Sequence, residues 1–171
     1  MTVRSDANPA AVAAALAGYA CGVTLVSVAD GRDDIATTVS AFLPVSAEPP
    51  LVAVALMAES YLAEVLGRDD APAGFGVTVL AAGQRVLAGR FAAAGRPSAR
   101  RLLEDVPQTR GPGSGALIPL GGLAALDCAT TSVTPAGDHV VVIGRVTDVP
   151  YVADSGDPLI RFRGRYPPLS R

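Results

Sequence analysis

The sequence predicts a mainly β protein, an antiparallel barrel with short helices set between its strands. Three observations carry that expectation. Runs of strand length, β-branched or continuously apolar, recur along most of the chain; the helical stretches between them are short; and two pairs of runs are joined by little more than a tight turn. A doubly wound parallel sheet would instead alternate strands with full-length crossover helices. With 171 residues the chain is long enough for one domain with a core and too short for two, so a single domain over residues 1–171 is expected.

Taken in order, Asn8-Pro9 followed by the Ala-rich stretch to Ala20 reads as an N-cap, a proline in the first turn and a helix closed by Gly18 and Gly22. The period then changes. Residues 22–29 alternate and are β-branched, and Asp30-Gly31 turns the chain into a second strand over about 35–40. Pro44, Pro49 and Pro50 break the following stretch, and Leu51 to Met57 is a continuous apolar run suited to a central strand. Residues 60–66 form a short helix with Ser60 as its cap and Gly67 as its stop. Phe75 to Leu80 is a strand, and Gln84 to Ala94 a helix whose apolar stripe is Val86, Leu87 and Phe91. Pro107 to Gly115 is rich in Pro and Gly and reads as loop. Leu123–Val133 and His139–Val149 are long strands joined by the turn 134–138, and Pro158–Arg163 is a last strand. Arg161, Arg163 and Arg165 would share one face of it, with Arg171 beyond, as an anion-holding row or as protective edge charges.

Composition narrows the function. Half of the residues are apolar and the net charge is −2, with all fourteen bases Arg and no Lys, so no nucleic-acid partner is expected and a P-loop or Schiff-base lysine is excluded. Cys21 and Cys128 sit in strand-like surroundings and read as buried thiols. The polar start Met1–Asp6 and the lack of any apolar run of about 18–20 residues predict a cytoplasmic protein with no membrane partner. Gly111-Pro-Gly113-Ser-Gly-Ala116 matches the dinucleotide pattern G-x-G-x-x-A in letters, but no strand precedes it and no helix follows, so it reads as a surface loop. A single histidine, His139, rules out multi-histidine metal sites, and no Gly-x-Ser-x-Gly elbow exists for a serine triad; no metal is expected. His139 itself, beside Asp138, is either a half-exposed turn residue or a functional imidazole.

The order of segments resembles a known family, the short flavin reductases of two-component monooxygenase systems. The likeness runs from about residue 9 to 169. It is carried by Tyr19-Ala-Cys-Gly22-Val-Thr-Leu-Val, by Thr38-Val-Ser40-Ala-Phe42 with Val45-Ser46-Ala-Glu-Pro49-Pro50-Leu-Val, and by Val77-Thr-Val-Leu80 and Arg90-Phe91-Ala92. Gly137-Asp138-His139 leading into Val142-Ile-Gly144-Arg145-Val146, and Pro158-Leu159 through Arg163-Gly164-Arg165-Tyr166, complete it.

The resemblance implies an antiparallel Greek-key split β-barrel, the FMN-binding split barrel, and a homodimer with FMN in a groove near the subunit interface. It places the flavin ring against Thr38, Val39, Ser40 and Ala41, the phosphate end near Ser60, Arg90 and Phe91, and the nicotinamide side near His139 and Tyr166. The implied reaction is hydride transfer from NADH or NADPH to FMN or FAD, with reduced flavin diffusing to a partner monooxygenase. Three places depart from the family pattern. Ala41 replaces a second hydroxyl residue, Ala58-Glu59-Ser60-Tyr61-Leu62 lacks the usual base and hydroxyls and sets Glu59 near the phosphate, and Thr78 replaces an Asn. A phosphate there requires an Arg from elsewhere, Arg90 or Arg96. Two other readings follow from these departures: a cofactor-free cyclase or isomerase that folds an apolar polyketide in the vacated groove, and a non-catalytic flavin or haem carrier.

Overall fold

Two-residue turns and short connections make neighbours in sequence into neighbours in the sheet. The computed structural model describes residues 7–31 and 33–169; Met1–Asp6 and Arg171 lie outside them. The elements are α1 (Pro9–Ala17), β1 (Cys21–Gly22), β2 (Thr24–Asp30), β3 (Asp33–Val39), β4 (Phe42–Ala47), β5 (Pro50–Met57) and α2 (Tyr61–Leu66), followed by β6 (Gly74–Val79), α3 (Arg85–Ala92) and α4 (Ala99–Leu102). Then come β7 (Gln108–Arg110), β8 (Leu117–Pro119), β9 (Ala124–Ala136), β10 (His139–Val152) and β11 (Ile160–Arg161).

Seven of these strands form one antiparallel sheet in the order β3-β2-β6-β9-β10-β5-β4. Its two edge strands, β3 and β4, are consecutive in the chain and separated only by Ser40 and Ala41. In a flat sheet, six interstrand spacings of about 4.8 Å would hold those edges about 29 Å apart, whereas the chain from Val39 to Phe42 reaches only about 10 Å. The sheet therefore curls until its edges meet at this link, while β3 and β4 stay unpaired with each other. The result is a split barrel, the fold class expected from the sequence.

The strand period divides the interior in two. On β2, Val26 and Val28 face one core cluster, with Val54, Phe75, Val77 and Val142, all at 0% exposure. The alternate residue Leu25, with Val23 just before the strand, faces a second cluster with Leu80, Leu87, Phe91 and Leu103 beneath α3 and α4. Burial on both faces explains the apolar run. No helix among the described residues is long and apolar enough to cross a membrane.

Several expectations are corrected. The proline-bearing stretch after residue 41 is not a break but the edge strand β4, where Pro44 pairs opposite Val52; an edge strand tolerates the missing N–H. The Gly-rich loop opens with the short strand β7, which pairs with β8 just beyond it. Val86 lies 71% exposed, and Leu87, Ala88 and Phe91 form the buried stripe of α3. Cys21 is half-buried rather than buried, and Cys128 is buried. The last strand is only Ile160–Arg161. Phe162 and Arg165 then close a turn by mutual backbone hydrogen bonds of 2.9 Å, with Arg163 at φ 49°, so Arg161, Arg163 and Arg165 do not share a strand face.

Candidate functional site

Thr38–Ala41 occupies the seam where the barrel is split. Thr38 Oγ1 donates to the carbonyl of Ala88 at 2.7 Å and ties β3 to α3. Val39 is 5% exposed and belongs to the first core cluster. Ser40 is half-buried, and the exposed Ala41 gives its carbonyl to Ala55 N at 2.9 Å. This segment, in the gap between two sheet edges, carries backbone groups that no neighbouring strand claims across the seam.

A cleft of about 290 Å³ opens along the free edge of β3, between residues 33–36, Ser60 and Tyr61 at the start of α2, and residues 95–99 after α3. Arg96 spans it. Its Nε donates to Ala36 O on the β3 edge at 3.0 Å and one terminal nitrogen donates to Ala93 O at 3.2 Å; burial lowers its pKa. Among the described residues no carboxylate lies within ion-pair distance of it. Ser60 caps α2 by accepting from Ala63 N at 3.2 Å, and Ser98 precedes α4 without a side-chain cap bond. Two carboxylates, Asp33 and Asp34, lie in the wall, and Asp34 is neutralised by Arg100 and Arg110. Burial pushes its carboxyl up, but hydrogen bonds from Arg110 and Arg100 outweigh that and hold it below the ordinary carboxylate range. Glu59 does not line the cleft.

The other residues singled out in the sequence are placed differently. Arg90 faces a neighbouring hollow and is gripped by Asp105 through two bonds of 2.6 and 2.8 Å. Phe91 is fully buried in the second cluster, so its ring anchors α3 and offers no surface to a ligand within this chain. His139 opens β10 opposite Met57, and its Nδ1 lies 2.7 Å from Asp138 Oδ1, with 38% of the side chain exposed. Met57 O accepts from Ser60 N and Asp138 O accepts from Ala58 N, so His139 and Ser60 stand at the same end of β5. Tyr166 packs on the second cluster with Arg85 above its ring at 6.0 Å, and within the chain it is not brought to His139. The sequence reading missed Tyr61, Ser98, Asp33 and Asp34 as cleft residues and named Arg96 only as an alternative to Arg90 for the compensating base. A Gly95-Arg96-Pro97-Ser98 turn just after a helix was the available signal.

The glycine motif proves structural. Gly113 N donates to Asp127 Oδ2 at 2.6 Å and Ser114 N reaches the same carboxylate at 3.3 Å, so the loop wraps an internal anion at 0% exposure.

Comparison with known proteins settles the family. The model of the flavin reductase like domain matches residues 16–170. The chain belongs to the flavin reductase-like family. This flavin reductase-like chain is 36% identical over 152 residues to the reductase component of 4-hydroxyphenylacetate 3-monooxygenase of Thermus thermophilus, covering 89% of itself and 91% of that protein. It is 34% identical over 158 residues to the actinorhodin polyketide dimerase of Streptomyces coelicolor, covering 91% and 83%. Among solved structures, the NADH:FAD oxidoreductase of Streptomyces globisporus matches with a TM-score of 0.86 at 26% identity over 100% of this chain and 99% of that one. The donor set fits the phosphate-bearing cofactor of such a family: one guanidinium without a carboxylate partner and two serine hydroxyls line a cleft beside the seam, against Asp33 and the arginine-paired Asp34 at the β3 wall.

Proposed function

We propose that this flavin reductase-like protein is an NAD(P)H:flavin oxidoreductase using FMN or FAD, and that it passes reduced flavin to a partner monooxygenase. The observation that carries the reading is the contiguity of the split seam, Thr38–Ala41, with the Arg96 cleft on the same edge of β3. A planar ring laid along the seam meets backbone donors and acceptors and the Ser40 hydroxyl, and a phosphate continuing along the edge meets Arg96, Ser60 and Ser98. Thr38 acts indirectly, because its hydroxyl is committed to holding α3. Arg90 joins the phosphate only by releasing Asp105.

When bound, the flavin supplies the ring that accepts a hydride from the nicotinamide. The chain's own residues bind, orient and exclude water. His139, held by Asp138 beside the Met57–Ser60 bend, borders the nicotinamide side of the seam. Tyr166, packed on the second cluster within its own chain, acts at the site of a second copy in a homodimer. Relatives that serve monooxygenases support the partner. One domain working in the cytoplasm completes the proposal.

The test is to titrate the purified protein with FMN and FAD and to follow NADH and NADPH absorbance. Flavin binding with flavin-dependent oxidation of either nicotinamide is the expected result; no binding and no oxidation overturns the proposal. The polyketide dimerase relative favours one second reading, a cofactor-free cyclase acting on a polyketide, which requires turnover of such a substrate with flavin removed.

A further inference from the structure

Asp34 is a buried carboxylate that the binding scheme above leaves without a task. It lies on β3 with 1% of its side chain exposed. Oδ1 accepts from one terminal nitrogen of Arg110 at 2.9 Å, and Oδ2 accepts from the other at 3.0 Å and from Arg100 Nε at 2.6 Å. Three segments distant in sequence, β3, α4 and β7, thus converge on one group.

Two of them are fixed independently. Arg110 also donates to Gly115 O at 2.6 Å, in the loop that the buried Asp127 carboxylate holds through Gly113 N and Ser114 N. The third is held less firmly: α4 has four residues, too short to be stable alone, its first turn lacks a side-chain cap, and its apolar anchors are Ala99 and the following Leu103 in the second cluster. The Gly95–Ser98 turn that leads into α4 is the far wall of the Arg96 cleft. Arg100 to Asp34 therefore joins Arg96 to Ala36 O as one of two side-chain bonds that tie this wall to β3, and it is the one made by a charged pair.

We propose that Asp34 is a positioning residue for the phosphate end of the flavin, holding Arg96 and Ser98, through Arg100, at the spacing from β3 and Ser60 that receives a phosphate. This rests on the reductase reading. By charge alone Asp34 opposes an anion in the cleft, so its contribution is geometric, and the sign of its removal separates the two effects. Deleting a repulsive charge tightens phosphate binding, and releasing the wall weakens it.

The experiment measures FMN and riboflavin affinity by quenching of flavin fluorescence in the full-length protein and its Asp34→Asn variant, with hydrogen exchange over residues 96–100. The expected result is an FMN dissociation constant raised about tenfold, a smaller change for riboflavin, which has no phosphate, and faster exchange of the wall amides. FMN binding that is unchanged or tighter overturns the proposal, as does an equal loss for both flavins. Should Asp34→Asn not fold, Arg100→Lys keeps the charge and removes the Nε bond. Weaker FMN binding with riboflavin retained then supports the role, and unchanged FMN binding refutes it. A wild-type protein that binds neither flavin removes the reductase reading and this inference together; a wild type that binds both beside indifferent variants removes only the role of Asp34.

Discussion

Arg96 reaches across from the turn after α3 to the carbonyl of Ala36 on the unpaired edge of β3, 3.0 Å away, and so faces the same cleft as Ser60. Arg90, six residues earlier on α3, is closed off by Asp105. Two arginines that sequence alone treats as equivalent thus have different availability. Arg96→Ala is expected to weaken FMN binding by about tenfold to a hundredfold, the value of one to two charge-assisted hydrogen bonds, with Arg90→Ala giving the smaller change. Isothermal titration of both variants decides; a larger loss at Arg90 would move the phosphate end to α3.

Thr38 and Ser40 separate stability from binding. Because the Thr38 hydroxyl bonds Ala88 O, Thr38→Val should cost about 1 kcal/mol and lower Tm by about 2–4 °C. Ser40→Ala should leave Tm in place and weaken flavin binding. Thermal denaturation paired with flavin titration tests both, and the reverse pattern would exchange their roles.

At the same end of β5 as Ser60, His139 is held by Asp138 and half-buried. His139→Ala is expected to lower kcat/KM for NADH by about tenfold, the loss of one orienting group, while the FMN dissociation constant stays within about twofold. Unchanged steady-state constants for NADH would remove His139 from the site.

The ion cluster at Asp34 also predicts a pH dependence. Its carboxyl is held below the ordinary range, despite burial, by Arg110 and Arg100. The folded state thus binds the proton less readily than the unfolded chain. The stabilisation is fully present above the unfolded value near 3.8 and is lost as pH falls through the lower folded value. Urea denaturation from pH 5 downward should show stability falling in wild type and a flatter profile in Asp34→Asn; identical slopes would mean that the cluster is not ion-paired in solution.

Gly144 on β10 lies against the ring of Phe75, and an added Cβ would come within 2.5 Å of Phe75 Cζ and 3.1 Å of Cys128 Cβ. Phe75 is fully buried and cannot swing away. Gly144→Ala should destabilise the protein by about 1–3 kcal/mol through overpacking, read as a lower denaturation midpoint. An unchanged midpoint would show that the first core cluster has room there.

Most strands were legible because each reports its burial locally. β2 and β5 are apolar runs of strand length, and Asp30-Gly31 and Gly137-Asp138 are turns that glycine permits, Gly31 and Gly137 having φ of 52° and 68°. β4 was not legible, since its prolines signal a break unless the strand is known to be an edge. Of the site, Ser60 and the Thr38–Ala41 segment were found through short motifs. Asp34, Ser98 and Tyr61 were not, because their significance depends on partners 26 to 76 residues away along the chain, from Ser60 beside residue 34 to Arg110 upon it.

The sequence by itself determined the antiparallel strands, their hairpins, the two short capped helices and a chemistry without lysine or a histidine cluster, because these depend on residue type and near-neighbour spacing. Only the tertiary structure decided that β3 and β4 meet as open edges, that Arg96 rather than Arg90 faces the cleft without a carboxylate partner, and that the glycine loop wraps Asp127. Which charge is neutralised and which remains available is set by what the fold brings within about 3 Å, a distance that spacing along the chain does not encode.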